Sequence, residues 1–568
     1  MSIWRRRGRV REIAPDEIFL DSSNLPGHES SQFEGRVVAL LSRRNIFAVG
    51  LSFTLVALIF AGRAFSLQVV DGQTFAHVSQ QNTLDQSVVF AARGVIYDRT
   101  GAELAWNEAQ LASTTAASST YALRQYTTLP GLSHLLGFIQ YPKADKNGTW
   151  WREEYTPISG VELSYDDMLK GENGSTIVET DAHGAVQRQD IVVPPQDGRS
   201  ITLSVDADVQ SKLYGLLSAH AQQEGFVGGA AVIMNVQTGQ LLAITSFPEY
   251  NDQAFTDGDS SVISAQSNDP STPLLDRAIS GLYAPGSIVK PIFAAAALRE
   301  GIISPEKQIL STGSISVPNP YDPAHPSIFR DWAVHGLIDM RTALAVSSDE
   351  YFYTIGGGYG GQAGLGITGI DTYAALFGLG AKTGIALAGE QAGLVPSPAW
   401  KAIAFPSDPT WRIGDTYHTA IGQYGFLVTP IQAVRYVAAI ANGGKLLTPQ
   451  LLASATPQFT QLDIPDSELQ VVRDGMRLTV TSSRTDATVT FFKGLPEQLA
   501  AKTGTAQIGG QNQWMNSWSI GFWPADHPEY AYAVVLERAP AGTLSGAAPG
   551  MLPFFQWLAT AHPEYVTF

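Results

Sequence analysis

AAVIMNVQTGQLLAITS, residues 230–246, is the stretch that decides the fold class. Two apolar runs, Ala230 to Val236 and Gln240 to Ser246, flank Gln237-Thr238-Gly239, and together they read as a β-hairpin. Late in the chain Trp518, Ile520 and Phe522 alternate with smaller residues. Tyr530 to Glu537, YAYAVVLE, is a further apolar run after a turn at Pro524-Ala525-Asp526. The stretch between these ends reads as helical. Strands early and late with helices between them predict an α+β domain whose antiparallel sheet is assembled from both ends of the sequence. Just upstream, Ser200-Ile201-Thr202-Leu203-Ser204 reads as a strand, and a helix begins near Asp206. Val209, Leu213, Leu216 and Leu217 share one face of that helix.

Val193-Pro194-Pro195-Gln196-Asp197-Gly198 is a turn-rich boundary in front of this domain. The region before it holds short apolar runs and many turn residues, including the bland stretch from Ser113 to Thr120, and reads as an extended, strand-rich spacer. Ile46 to Gly62 carries no charge and is near the lower length limit for crossing a bilayer. Arg5, Arg6, Arg7, Arg9, Arg11, Arg36, Arg43 and Arg44 crowd its N-terminal side, whereas Arg63 alone is basic between Asn45 and Ala92. The positive-inside rule then places the N-terminus in the cytoplasm and the remainder outside. A cleaved signal peptide fits poorly, because the preceding polar stretch is long and no clear A-x-A site follows. The expected organisation is a cytoplasmic tail at 1–44, an anchor helix at 45–67, a membrane-proximal pedestal at 68–195 and a C-terminal domain at 196–568.

The chain has 568 residues, a net charge of −16 and no cysteine. The charge argues against nucleic acid as a main partner. The absence of cysteine removes disulfides, Cys-based zinc sites and thiol nucleophiles. The ten histidines show no ligand-like clustering, so no metal site is expected.

Ala284-Pro285-Gly286-Ser287-Ile288-Val289-Lys290-Pro291 turns sharply into a helix. Residues at i and i+3 meet on a helix surface, so Lys290 can reach the Ser287 hydroxyl. Serine needs an adjacent base to act as a nucleophile, and lysine serves only when neutral, which burial or a second cation can achieve. Pro291 is tolerable only close to a helix start. The same S-x-x-K spacing recurs at Ser304-Pro305-Glu306-Lys307, where an ordinary helix N-cap is the expected reading. Val346-Ser347-Ser348-Asp349 places a hydroxyl and a carboxylate on a loop between helices, or caps a helix. Lys502-Thr503-Gly504-Thr505 reads as a strand in which Lys502 and Gly504 face one way and Thr503 and Thr505 the other, with glycine admitting a close backbone approach. Its control is Lys382-Thr383-Gly384, which lacks the second threonine. In that order the three motifs are far more specific than any one alone.

These residues resemble the penicillin-binding protein and serine β-lactamase superfamily, and more narrowly the class B penicillin-binding proteins of the elongation type. Arg93-Gly94-Val95-Ile96-Tyr97-Asp98-Arg99…Gly101 matches R-G-x-I-x-D-R-x-G, and Gly160-Val161-Glu162…Tyr165 matches G-x-E-x-x-Y/F. Phe377-Gly378…Thr383-Gly384-Ile385…Gly389-Glu390 matches a structural motif that accounts for the first K-T-G. Ile421-Gly422-Gln423-Tyr424-Gly425 resembles I-G-Q-G with one residue inserted or replaced. Asp349 stands where the superfamily commonly has Asn, which elongation-type members often share.

The resemblance implies the transpeptidase fold, with an antiparallel sheet flanked by helices above the pedestal and a single transmembrane helix. It implies peptidoglycan D,D-transpeptidation without a cofactor. Ser287 would attack stem peptides ending in D-Ala-D-Ala, with Lys290 as general base. Ser347 would relay the proton toward the leaving amine, aided by Lys502. Backbone N–H groups of Ser287 and Thr505 would form the oxyanion hole, while Thr503 and Thr505, with Asp349 and Gly504 nearby, would hold substrate. β-Lactams would trap Ser287. Implied partners are a membrane-embedded glycan polymerase and other elongation-complex proteins, at the cytoplasmic membrane. A division-type role, hydrolysis as β-lactamase or carboxypeptidase, and an idle sensor or scaffold are the alternatives. Gly356 to Gly366 either shapes the cleft mouth or is a plain loop. Asn147-Gly148-Thr149 and Asn173-Gly174-Ser175 match a glycosylation pattern that a bacterial resemblance discounts.

Overall fold

The computed structural model describes residues 42–73, 84–109, 121–146, 150–180, 186–319 and 322–567. Most of the expected tail, the Ser113 to Thr120 stretch and Asn147-Gly148-Thr149 lie outside the described residues. Two compact units are present, Met1–Leu84 with Glu179–Gln187, and Asp85–Val178 with Arg188–Phe568. In the first, helix α1 spans Arg43–Phe65. Ser42 caps it by accepting a hydrogen bond from Asn45 N–H. With the π-helical turn that follows, Arg43–Val70 contains an 18-residue window with a mean hydropathy of 2.0, none of whose residues is buried in the protein. Among the described residues it is the one helix long and apolar enough to cross a membrane.

The second unit begins with the pedestal. Strands β1 (Ile96–Tyr97), β2 (Glu103–Glu108) and β3 (Leu123–Tyr126) form an antiparallel set. Strand β4 (Ile201–Thr202), read from sequence as the opening of the C-terminal domain, instead pairs in parallel with β1, Ile201 opposite Ile96. Gly94 makes this approach possible, since a Cβ there would lie 2.1 Å from the Arg199 carbonyl oxygen.

The two pedestal motifs meet in a buried ion cluster. Glu162, wholly buried, accepts from Arg93 Nε on one oxygen and from Arg124 Nε (2.7 Å) on the other, while Arg93 Nη1 reaches Asp166 at 2.6 Å. Burial alone would raise the Glu162 carboxyl, but the two guanidiniums outweigh it and hold the group below its ordinary value. Its stabilising contribution is therefore present above the ordinary glutamate pKa and is lost as pH falls through the depressed folded value. Glu162→Gln is expected to cost about 3–5 kcal/mol, because two buried cations lose their shared anion; the check is urea unfolding followed by pedestal tryptophan fluorescence. Asn173, in the glycosylation pattern, has both ends of its amide engaged by Ala91 N–H and the Glu153 carbonyl.

Helix α2 (Ala207–Glu224) starts on Asp206, whose side chain accepts from Asp208 and Val209 N–H, and stops at Gly225 with φ +79°. It leads into β5 (Gly228–Asn235) and β6 (Leu241–Phe247), the expected hairpin. The middle of the chain supplies helices α3 (Lys290–Arg299), α4 (Met340–Ala345), α5 (Asp349–Gly357) and α6 (Pro430–Ala441). Strands β7 (Ala500–Ile508), β8 (Trp514–Trp523) and β9 (Tyr530–Pro540) then complete the sheet, and helix α7 (Ala547–Ala561) covers it. The sheet is antiparallel throughout, in the order β6-β5-β9-β8-β7.

The apolar runs are continuous because both faces of this sheet are covered by helices. Ala230, Val232 and Met234 of β5 enter one core with Ala533 and Val535 of β9, against α3 and α6. Ala231 and Ile233 enter the other with Val534 and Leu536, against α2 and α7. The period-2 alternation of a strand thus sorts neighbours into two apolar layers instead of core and solvent.

Candidate active site

Ser287 lies in the 3-10 turn Gly286–Val289, and α3 starts immediately after it at Lys290. Pro291 therefore sits in the first helical turn, where its missing N–H costs nothing. The turn is held from three sides. Trp518 Nε1 donates to the Ala284 carbonyl (2.9 Å), Gly286 N–H donates to the Gly422 carbonyl (2.9 Å), and Tyr436 of α6 donates its hydroxyl to the Ile288 carbonyl (2.7 Å). Gly504 makes room for the same turn, since a Cβ there would meet the Pro285 oxygen at 2.7 Å and Ile288 Cγ2 at 2.9 Å. The Pro285–Ile288 turn is thus what packs against that glycine.

Gly422 has φ +76°, and a Cβ there would lie 2.2 Å from the Gly286 oxygen. Gly422→Ala is expected to displace the turn that carries Ser287 and to slow the acylation that the family resemblance implies for this serine about a hundredfold, as misplacement on the order of 1 Å does elsewhere. Stopped-flow measurement of penicillin acylation reads this directly.

Ser347 links α4 to α5 in a left-handed conformation, φ +57°, which is uncommon and costly for a side chain with a Cβ. The conformation brings its groups onto two lysines. Its hydroxyl accepts from Lys502 Nζ at 2.7 Å and stands 3.5 Å from Lys290 Nζ. Its carbonyl accepts from Lys290 Nζ at 2.7 Å. Lys290 also pairs with Asp349 Oδ1 at 2.6 Å. Both lysines are wholly buried. Burial first, and the neighbouring Lys290 charge second, push the Lys502 amine well below the ordinary lysine range, with Asp349 opposing.

Ser287, Ser347, Asp349, Thr503, Gly504 and Thr505 line one cleft of about 890 Å³. On β7, Lys502 and Gly504 are buried while Thr503 is half-buried and Thr505 exposed, so the strand alternates as expected. The structure thus brings all eight sequence-selected residues to one place. Ser287 Oγ itself has no hydrogen bond to a described residue, including Lys290. No residue from Gly356 to Gly366 lines the cleft. Gly356 and Gly357 instead end α5, where a Cβ would strike Ala420 and Tyr417.

The two internal controls behave differently from the cleft motifs. Thr383 bonds Glu390 through both its N–H and its hydroxyl at 2.6 Å, a loop clasp. Lys307 N–H donates to the Ser304 carbonyl in a simple turn, where a helix N-cap was expected. Sequence reasoning missed Asp331 and Trp332, which also line the cleft. Asp331 accepts from the Ser348 hydroxyl (2.6 Å) and Glu350 N–H (2.9 Å), and Trp332 Nε1 donates to the Val346 carbonyl (3.0 Å). The single available signal is an Asp-Trp pair shortly before the second motif, which carries no weight without coordinates.

Residues 229–554 match the penicillin binding protein transpeptidase domain, and residues 114–203 match the penicillin-binding protein dimerisation domain. The peptidoglycan D,D-transpeptidase MrdA of Escherichia coli K12 is 31% identical over 462 residues, 75% of this chain and 70% of that protein. Among solved structures, penicillin-binding protein 2 of Helicobacter pylori in complex with MreC aligns with a TM-score of 0.67 at 25% identity, covering 84% of this chain and 99% of that one. Penicillin-binding protein 2 of Pseudomonas aeruginosa in complex with WCK 5153 aligns at 0.66 and 26% identity, covering 84% and 98%.

Proposed function

From the premise that this chain belongs to the class B penicillin-binding proteins of the elongation type, the penicillin-binding protein 2 family, we propose that Ser287 is the acylated nucleophile and that its two lysines share one proton across Ser347. The chain is a serine-type, penicillin-sensitive D,D-transpeptidase of peptidoglycan. A division-type role is not favoured by these relatives. The observation that carries the residue assignment is the convergence of three distant motifs on one cleft.

One carboxylate, Asp349, faces two buried amines. In the resting state Lys290 carries the proton on Asp349, and Lys502 is the amine held neutral. Passing a proton through the Ser347 hydroxyl moves the charge to Lys502 and frees Lys290 as base. Lys290 then takes the proton of Ser287 Oγ as that oxygen attacks the penultimate D-Ala carbonyl. The oxyanion is met by the N–H groups of Ser287 and Thr505, each worth about 3–4 kcal/mol in comparable sites. The C–N bond breaks, and terminal D-Ala leaves with a proton from Ser347, which Lys502 replaces. This restores the resting protonation. An acceptor amine reverses the sequence, losing its proton through Ser347 to Lys502 while Lys290 returns one to Ser287. Thr503 and Thr505 bind the substrate carboxylate beside Lys502, with Gly504 and Asp349 completing the binding surface.

We read 1–44 as a cytoplasmic tail, 45–67 as the anchor in the cytoplasmic membrane, 68–195 as the pedestal and 196–568 as the transpeptidase domain outside it. Helix α1 and the two domain matches support the order anchor, pedestal, transpeptidase domain, although the dimerisation match and the pairing of Ile201 with Ile96 carry the pedestal past 195, to about 203. The relative in complex with MreC supports placing this chain in an assembly with a protein of that kind, and a glycan polymerase beside it is what the family resemblance implies. The test is to supply the full chain in detergent with a stem peptide ending in D-Ala-D-Ala and an amine acceptor. Release of D-Ala with acyl transfer to the amine is expected. Hydrolysis that persists at saturating acceptor would point to a carboxypeptidase instead.

A further inference from the structure

Behind the second motif lies a chain of charges that the mechanism above does not use. His335 has a wholly buried side chain. Its Nδ1 meets Asp486 Oδ2 at 2.8 Å, and its Nε2 faces Asp331 Oδ1 at 3.6 Å. Arg484 closes the far end, bonding both oxygens of Asp486 (2.8 and 2.7 Å) and the His335 carbonyl (3.0 Å). The ring stands against Trp332, centroids 5.1 Å apart. Glu350 of α5 is a further nearby charge, and it is taken up by Ser311 Oγ and the N–H groups of Thr312 and Gly313. Ser311 Oγ in turn accepts from His335 N–H at 3.4 Å.

The near end of the chain is the cleft. Asp331, the anion that His335 faces, spends its other oxygen on Ser348 Oγ and Glu350 N–H, the first turn of α5. Trp332, three residues before His335, pins the Val346 carbonyl. Ser347 is therefore held on both flanks by the Asp331–His335 segment, and Ser347 is the residue whose left-handed φ needs holding.

We propose that His335 is a positioning residue. Wedged between Asp331 and Asp486, it fixes Asp331 against α5 and so keeps Ser347 aimed at Lys502. An imidazolium donates to Asp486 and points its second N–H, which has no hydrogen-bond partner among the described residues, at Asp331 as an ion pair 3.6 Å away, whereas a neutral ring keeps only one N–H. Burial disfavours the charge, but the two carboxylates outweigh it and hold His335 above its ordinary value. The Asp331 carboxyl, though buried, is held at about 2 by His335, Ser348 and Glu350 N–H. The clamp is complete below the raised value of His335 and opens as pH rises through it.

This inference rests on the serine acyl-transfer reading, which Ser287→Ala tests separately. The experiment measures the acylation rate constant and the affinity of the preceding non-covalent complex across pH, with fluorescent penicillin and the full chain in detergent. His335→Gln should lower the rate constant about tenfold or more, with the affinity changed less than the rate. Asp486→Asn removes one of the two anions and should move the alkaline limb of the wild-type profile to lower pH by about half a unit or more. A structural role alone would not move that limb. A smaller shift, a wild-type profile without an alkaline limb, or a His335→Gln rate closer to wild type overturns the proposal. Should His335→Gln fail to fold, Asp486→Asn, an isosteric change at a partly exposed side chain, decides alone.

Discussion

Ser287→Ala is expected to abolish covalent capture of penicillin and to lower transpeptidation by about 10⁵-fold or more, as loss of the nucleophile does in other serine acyl-enzymes. The same change should leave stability within about 0.5 kcal/mol of wild type. Ser287 Oγ has no hydrogen bond to a described residue, and the turn that carries it is held by the carbonyls of Ala284 and Ile288 and by the N–H of Gly286. The prediction is therefore a separation of effects: no adduct on a gel of penicillin-labelled protein, with an unchanged thermal transition. A large fall in stability would mean that the hydroxyl has a structural task that the geometry does not indicate.

Lys502→Met should produce an equally severe loss of acylation with the opposite consequence for the fold. Lys502 is wholly buried beside another lysine, and its folded pKa lies well below 10.5. Between that folded value and 10.5 the unfolded chain binds the extra proton, so the group destabilises the fold, and the penalty shrinks to nothing as pH rises to the ordinary lysine value. Replacing such a buried amine, which must give up its proton to fold, by an apolar side chain of similar length is expected to stabilise by about 1–3 kcal/mol at neutral pH. The gap between variant and wild type should close as pH climbs toward 10. Lys290→Met should go the other way and destabilise, because Asp349 and the Ser347 carbonyl both lose their donor. Thermal melts of both variants from pH 7 to pH 10, beside their acylation rates, check the signs. Two variants that both destabilise at pH 7 would contradict the assignment of the neutral amine to Lys502.

The sequence made the sheet legible because both of its halves are long apolar runs with clear turns, at 230–246 and 530–537. It made the motifs legible because three of them occur in order and each internal control lacks part of the pattern. What it concealed depends on pairings between distant segments that leave no local pattern. Strand 201–202 reads as part of the C-terminal domain, yet its partner is Ile96–Tyr97, chosen by the Gly94 approach to Arg199. Gly504 invites a reading about ligand access, whereas its neighbour is the Pro285–Ile288 turn. Tyr436, Asp331 and His335 show no spacing that marks them. Each acts through hydrogen bonds or ion pairs to segments distant in sequence.

Tyr424 is a related case. It occupies a left-handed position, φ +64°, within the departure from I-G-Q-G, while Gly425 beside it leaves room for the Trp400 ring, which a Cβ would approach to 2.4 Å. Exchange of the two residue types would remove one strained side chain and create a clash in its place. The departure from the family pattern is thus matched by local packing, and it lines the same cleft.

The most direct measurement is mass spectrometry of the tryptic peptide that bears the adduct after brief exposure of the full chain to penicillin. Lys290 precedes Pro291 and resists cleavage, so residues 278–299 should appear as one peptide carrying a single acyl group, with fragmentation placing it on Ser287. An adduct on Ser280, on any other peptide, or on none would contradict the account.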